Sequence, residues 1–116
     1  DGIVVSNHGG RTLDSMPASI EILPKIAKAV NGKIPILFDG GIKRGTDVIK
    51  AIALGASAVM IGRPIMYGLA TAGALGVAHT LKILKEELEV SMIFTGCKSI
   101  KEMKNLDIFN NNYQFC

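Results

Sequence analysis

Cysteine is scarce, charge is not gathered into blocks, and no long apolar run is present. Cys97 and Cys116 are too few and too far apart for a disulfide framework or a four-ligand metal site, so no metal is expected and reducing surroundings are the natural reading. The 13 lysines and arginines are scattered along the chain and the formal net charge is only +3, which argues against a polyanion-binding tail and against nucleic acid as a partner. No apolar stretch reaches the roughly 18 residues of a membrane span, and no basic segment followed by a hydrophobic one opens the chain. There is no initiator methionine either. The sequence starts on Asp1-Gly2 directly before a strand pattern, which predicts that it begins partway through a domain. What is present, 48% hydrophobic residues over 116 positions with a moderate charge load, is the composition of one soluble globular domain.

The chain is organised around its first eleven residues. Ile3-Val4-Val5 is a β-branched run of the kind found in strands covered on both faces, as in parallel sheets. Ser6, His8 and Arg11 follow at once and offer a hydroxyl, a titratable imidazole and a guanidinium fork. Active sites of β/α barrels and open α/β sheets are built at such strand ends. Imidazole suits general-base work near neutral pH, and arginine suits a substrate carboxylate. A single histidine is also commonly a loop residue satisfied by backbone. His79, within a helical pattern beside Ala78 and Leu81, is read as structural.

Two further units repeat the plan. Ser15 with Pro17 resembles a helix start, Ile20, Leu23, Ala27 and Val30 mark a helix face, Pro24 predicts a kink or a split, and Asn31-Gly32 closes the helix. Ile34 to Phe38 reads as a buried strand ending in Asp39-Gly40-Gly41, followed by Lys43, Arg44 and a helix that starts at Thr46-Asp47 and stops at Gly55. Ala58 to Ile61 is a third strand, ending in Gly62-Arg63-Pro64. A short helix over 65–70 and a longer one from Val77, with Leu81, Leu84, Leu88 and Met92 inward, are expected next. Ser99 and Glu102 have the spacing of a capping box, and Asn110-Asn111-Asn112 has no pattern. Met60, Met66 and Met92 are read as core fillers and Cys97 as an inert small hydrophobe. The order predicts an α/β fold with a parallel sheet, either a small open sheet or the last part of an eight-stranded barrel.

Glycines at the ends of the second and third strands let backbone N–H groups approach an anion, and Arg63 can grip phosphate oxygens bidentately. The alternative is that Gly40, Gly41 and Gly62 only permit tight turns and that Arg63 is a surface cation. Neighbouring strands carrying both loops favour the phosphate site.

Together, Ser6-Asn7-His8-Gly9-Gly10-Arg11, Asp39-Gly40-Gly41, Gly45-Thr46-Asp47-Val48, Ala53-Leu54-Gly55-Ala56, Ile61-Gly62-Arg63-Pro64 and Thr95-Gly96-Cys97 resemble the FMN-dependent α-hydroxy acid oxidases and dehydrogenases. Among these, the glycolate oxidase, or (S)-2-hydroxy-acid oxidase, branch is nearest in motif. The likeness runs from Asp1 to about Met103 and is to the C-terminal part of the family's barrel. It implies the last three β/α units of a TIM (β/α)8 barrel, here residues 1–104, with 105–116 a frayed tail. It also implies FMN as cofactor, held by Ser6 at the ring, by Asp39, Gly40, Gly41, Ile42 and Lys43 along the ribityl chain and phosphate, and by Gly62 and Arg63 at the phosphate. His8 would be the active-site base and would touch substrate, and Arg11 would bind the substrate carboxylate. The reaction implied takes an L-2-hydroxy acid and dioxygen to a 2-oxo acid and hydrogen peroxide.

The resemblance also brings departures and alternatives. Lys43 stands where the family usually has arginine, Thr12 replaces a common glutamine, and the family's flavin-contacting lysine, the aspartate partner of the histidine and the substrate tyrosines lie upstream of Asp1. An FMN-dependent L-lactate dehydrogenase and a half-barrel with no activity by itself are the alternatives, and a barrel binding a phosphorylated ligand for unrelated chemistry explains His8 with Arg11 less well. A homo-oligomer is the implied form of the full-length protein. A peroxisomal location follows from the resemblance and a cytoplasmic one otherwise, since Tyr113-Gln114-Phe115-Cys116 is not a Ser-Lys-Leu type signal.

Overall fold

A computed structural model describes residues 1–108. Strand β1 (Ile3–Val5) pairs in parallel with β2 (Ile36–Asp39), and β2 pairs in parallel with β3 (Ala58–Met60), giving an open sheet in sequence order. Helices α1 (Ser19–Val30) and α2 (Gly45–Ala53) make the crossovers, and α3 (Arg63–Thr95) and α4 (Ile100–Met103) follow β3. This is the expected alternation of three β/α units.

Register explains the core. Val5, Phe38 and Val59 are cross-strand neighbours on one face, as are Val4, Leu37 and Ala58 on the other. The first face packs under the helices, where Val5, Phe38, Leu23, Ile49, Ile52 and Met103 are buried. The second face is uncovered, with Val4 53% and Leu37 37% exposed. The expectation of strands buried on both faces is therefore corrected: a continuous apolar run shows that both faces suit apolar surroundings, but within residues 1–108 only one face has a cover.

Several local expectations also change. Ser15 is not a helix cap; it sits at φ 65°, and α1 starts at Ser19 after an extended Ala18. Pro24 neither splits nor ends α1, which is continuous over 12 residues. The carbonyl its ring would crowd belongs to Ile20, in the first turn, where no helix precedes it to resist a tilt. Met60 and Met66 are exposed, because Met60 is on the outer strand and Met66 on the first half of α3, and Met103 fills the core instead. Leu81 is exposed too, while Leu84 is buried.

Helix α3 breaks at Ala72 and Gly73, so a short segment and a longer one exist as expected, but the longer one starts before Val77. The two halves touch through glycines: a Cβ on Gly68 would lie 2.6 Å from the carbonyl oxygen of Gly76 and 2.5 Å from Thr80 Oγ1. At α4 the Ser99 hydroxyl accepts from the Glu102 N–H at 3.3 Å, while the Glu102 carboxylate reaches Lys98 N–H at 2.9 Å rather than Ser99, so the capping box is half formed. Leu106 still packs against the core; residues 109–116, which hold most of the expected frayed tail, lie outside the described residues.

Candidate functional site

All three strands run parallel, so their C-terminal ends gather the segments after Val5, Phe38 and Met60 at one edge of the sheet. Asp39 alternates onto the same uncovered face as Leu37, and the Ser6 hydroxyl crosses to it, donating to Asp39 Oδ2 at 2.6 Å. The same hydroxyl accepts from the His8 N–H at 3.0 Å. Ser6 thus ties the end of β1 to the end of β2 and anchors the turn that carries His8.

That turn is strained. His8, Gly9 and Gly10 have φ of 55°, 64° and 74°, three consecutive residues in the left-handed region. For a residue with a Cβ this conformation costs about 1–2 kcal/mol, so His8 needs local support to stay there. Gly10 N–H bonds the Asn7 carbonyl at 3.0 Å and the Asn7 side-chain oxygen at 3.2 Å, and Arg11 N–H bonds the His8 carbonyl at 3.3 Å. The His8 and Arg11 side chains are exposed and three positions apart in sequence.

From the third strand end, Arg63 reaches back over the same turn. Its Nη2 donates to the Gly9 carbonyl at 2.8 Å, and a Cβ on Gly9 would meet that guanidinium at 2.9 Å. Gly62 opens α3 and its carbonyl takes the N–H groups of Ile65 and Met66, while Pro64 has no N–H to offer. The Arg63 N–H is left at a helix N-terminus, where an anion is favoured.

The middle loop is more divided than its sequence suggests. Gly40 and Gly41 sit at φ 113° and 83°; a Cβ on Gly40 would strike the Ser19 hydroxyl, whereas Gly41 and Gly62 face open space. Ile42 is 5% exposed, its side chain committed to the core, so it can serve a ligand only through its backbone. Lys43 is exposed. Arg44 turns away to Glu87 at 3.3 Å and does not replace the planar fork lost at position 43. Asp47 accepts from Lys43 and Arg44 N–H at 3.0 and 2.9 Å, and Glu87 accepts from Gly45 N–H at 2.9 Å, so α2 is held at its start from two sides.

Sequence reading missed Asn7 and Glu87. Asn7 had a signal, an Asx residue three positions before a glycine; Glu87, on the polar side of a helix, had none. Ser6, His8, Arg11, Asp39, Gly40, Gly41, Lys43, Gly62 and Arg63 converge on one edge of the sheet. They bring an imidazole, the guanidinium of Arg11 and, beside them, the cations Lys43 and Arg63 with glycine backbone to one edge, groups that can respectively accept a proton, pair with a carboxylate and hold an anion. Among the described residues no cluster of three metal-ligating side chains occurs, and no helix is long and apolar enough to cross a membrane.

The family model of FMN-dependent dehydrogenases matches residues 1–110. A 2-hydroxyacid oxidase of Dictyostelium discoideum is 54% identical over 112 residues, covering 97% of this chain and 29% of its own. An L-lactate oxidase of Lactobacillus jensenii is 53% identical over 113 residues, covering 97% and 28%. A lactate oxidase structure from Pediococcus acidilactici superposes with a TM-score of 0.93 at 51% identity, covering 97% of this chain and 31% of its own. The chain thus spans under a third of the length of these relatives.

Proposed function

The chain belongs to the FMN-dependent dehydrogenase family, and from that premise we propose that it supplies the base, the carboxylate clamp and the phosphate grip of an FMN-dependent (S)-2-hydroxy-acid oxidase. Its three β/α units are the last three of an eight-unit barrel, and the uncovered face bearing Val4 and Leu37 is the one the remaining strands close over. The observation that carries the reading is the convergence of the turn at His8 and the Arg63 guanidinium, joined at Gly9.

The residues present fit FMN. Gly41 and Gly62 leave open space where side chains would stand, the Arg63 N–H lies at a helix N-terminus, and Lys43 and Arg63 bring positive charge. Asp39 and Ser6 offer a carboxylate and a hydroxyl to sugar-chain hydroxyls and ring edge. FMN held by these residues would supply the two-electron acceptor for the hydroxy acid, with dioxygen as the final acceptor and hydrogen peroxide as its product. Arg11 binds the substrate carboxylate and fixes the hydroxyl-bearing carbon beside His8, whose imidazole takes the proton released as the alcohol becomes a carbonyl. The substrate is a small L-2-hydroxy acid such as glycolate or L-lactate.

The uncovered face also favours a second statement: residues 1–116 are catalytically incomplete by themselves and act only within the whole barrel. Peroxide release from glycolate and from L-lactate by the complete polypeptide carrying this chain tests the reading. His8→Gln is expected to keep bound flavin and lose turnover by about 100-fold or more. Undiminished turnover in that variant overturns it.

A further inference from the structure

We propose that Asn7 is a positioning residue for the reaction, setting where the His8 imidazole stands; this rests on the reading of His8 as the base. Three residues in a row, His8, Gly9 and Gly10, are held at φ of 55°, 64° and 74°. Gly9 and Gly10 adopt such φ freely, but His8 carries a Cβ and persists there only where its surroundings over-determine it. Asn7 stands at the start of the run, and the two ends of its amide tie the run to itself and to the segment beyond it. Its Oδ1 accepts from Gly10 N–H at 3.2 Å, closing the turn around His8, and its Nδ2 donates to the Pro17 carbonyl at 3.3 Å, fixing the turn to the segment that enters α1.

A third neighbour makes the position more demanding. A Cβ on Gly40 would stand 3.6 Å from Asn7 Oδ1 and against the Ser19 hydroxyl at the first residue of α1, so the asparagine lies where the loops after β1 and β2 and the start of α1 converge. The side chain is half-buried there, whereas Ser6 and His8 are exposed. The other two side-chain supports of the turn, Ser6 Oγ at His8 N–H and Arg63 at the Gly9 carbonyl, belong to residues that the cofactor would also engage. Asn7 alone is free of that demand, so it holds the turn whether or not a ligand is bound. Aspartate keeps the acceptor for Gly10 N–H but cannot donate to Pro17; alanine keeps neither.

The test uses the complete polypeptide carrying this chain, loaded with FMN. Asn7→Ala is expected to lose kcat by about 100-fold, the scale of a reacting group misplaced by 1 Å, with flavin content unchanged and the thermal midpoint lowered by only a few degrees, as for a lost cap. Asn7→Asp is expected to recover about tenfold of that loss, since the cap that closes the turn is retained. A kcat in Asn7→Ala equal to that of the parent overturns the proposal. A loss of kcat that follows loss of flavin or of the folded state at the assay temperature overturns it too, as does Asn7→Asp no better than Asn7→Ala. His8→Gln run in parallel separates the two readings: if it retains full turnover, the assignment of the base has failed, and if it is inactive while Asn7→Ala is normal, only the positioning role has failed.

Discussion

The guanidinium of Arg63 donates to the carbonyl of Gly9 at 2.8 Å, joining the start of α3 to the turn that carries His8 across 54 positions of sequence. A charged donor bound to a carbonyl is worth about 1.5–3 kcal/mol where it is shielded from water, and less here because Arg63 is exposed. The same group faces the proposed phosphate site. Arg63→Lys keeps a charge but loses the fork that serves both partners. Weaker flavin binding by about tenfold, read from flavin fluorescence titration of the full-length apoprotein, is expected. Unchanged affinity removes Arg63 from the phosphate grip.

Glu87 supports the loop from outside. Gly45 is buried and its N–H finds the Glu87 carboxylate at 2.9 Å, so Glu87→Ala leaves a donor without its acceptor at a cost of about 1–3 kcal/mol. Glu87→Gln retains an oxygen acceptor and recovers most of the loss. Arg44→Ala removes only an exposed ion pair and changes stability by less than about 0.5 kcal/mol. Thermal or urea unfolding of the three variants checks the order.

How far the sequence could be read depends on the range of the forces involved. β1, β2 and β3 were legible because short β-branched and apolar runs followed by polar or glycine-rich turns are local signals, and Asn31, at φ 49°, closes α1 as its type predicts. The one-sided burial of Val4 and Leu37 was not legible, since it depends on what covers the sheet. Arg44 could be read as a cation but not as Glu87's partner, 43 positions away. Asn7 escaped because its acceptor is a backbone carbonyl and because the turn it closes places a histidine, which has a Cβ, at positive φ. The motifs are marked by residue type and spacing; the polar supports that hold them are set by three-dimensional proximity.

Ser6 carries two bonds with one hydroxyl, to Asp39 at 2.6 Å and from His8 N–H at 3.0 Å. Ser6→Ala breaks both, freeing the end of β2 and one support of the strained turn. A fall of about tenfold in kcat/KM is expected, equal to roughly 1.4 kcal/mol. Ser6→Thr retains the hydroxyl and is expected to stay within about threefold of the parent. Steady-state assays of the complete polypeptide with glycolate and with L-lactate distinguish them, and equal activity in Ser6→Ala shows that the link to Asp39 is dispensable.

The glycine contact inside α3 gives a prediction that is independent of any function. With Gly68 and Gly76 backbones against each other, a methyl group on Gly68 would stand 2.6 Å from the Gly76 oxygen and 2.9 Å from its carbonyl carbon. Backbone atoms cannot rotate away as a side chain does, so the halves on either side of the Ala72-Gly73 break must separate. Overpacking of this kind costs about 1–3 kcal/mol. The usual gain from placing alanine in a helix, about 1 kcal/mol, is smaller than that clash. Gly68→Ala is therefore expected to lower the thermal midpoint, whereas Gly32→Ala, in open space at φ 72°, costs only the strain of its turn. A Gly68→Ala protein as stable as the parent or more so means that the two halves of α3 do not meet at these glycines.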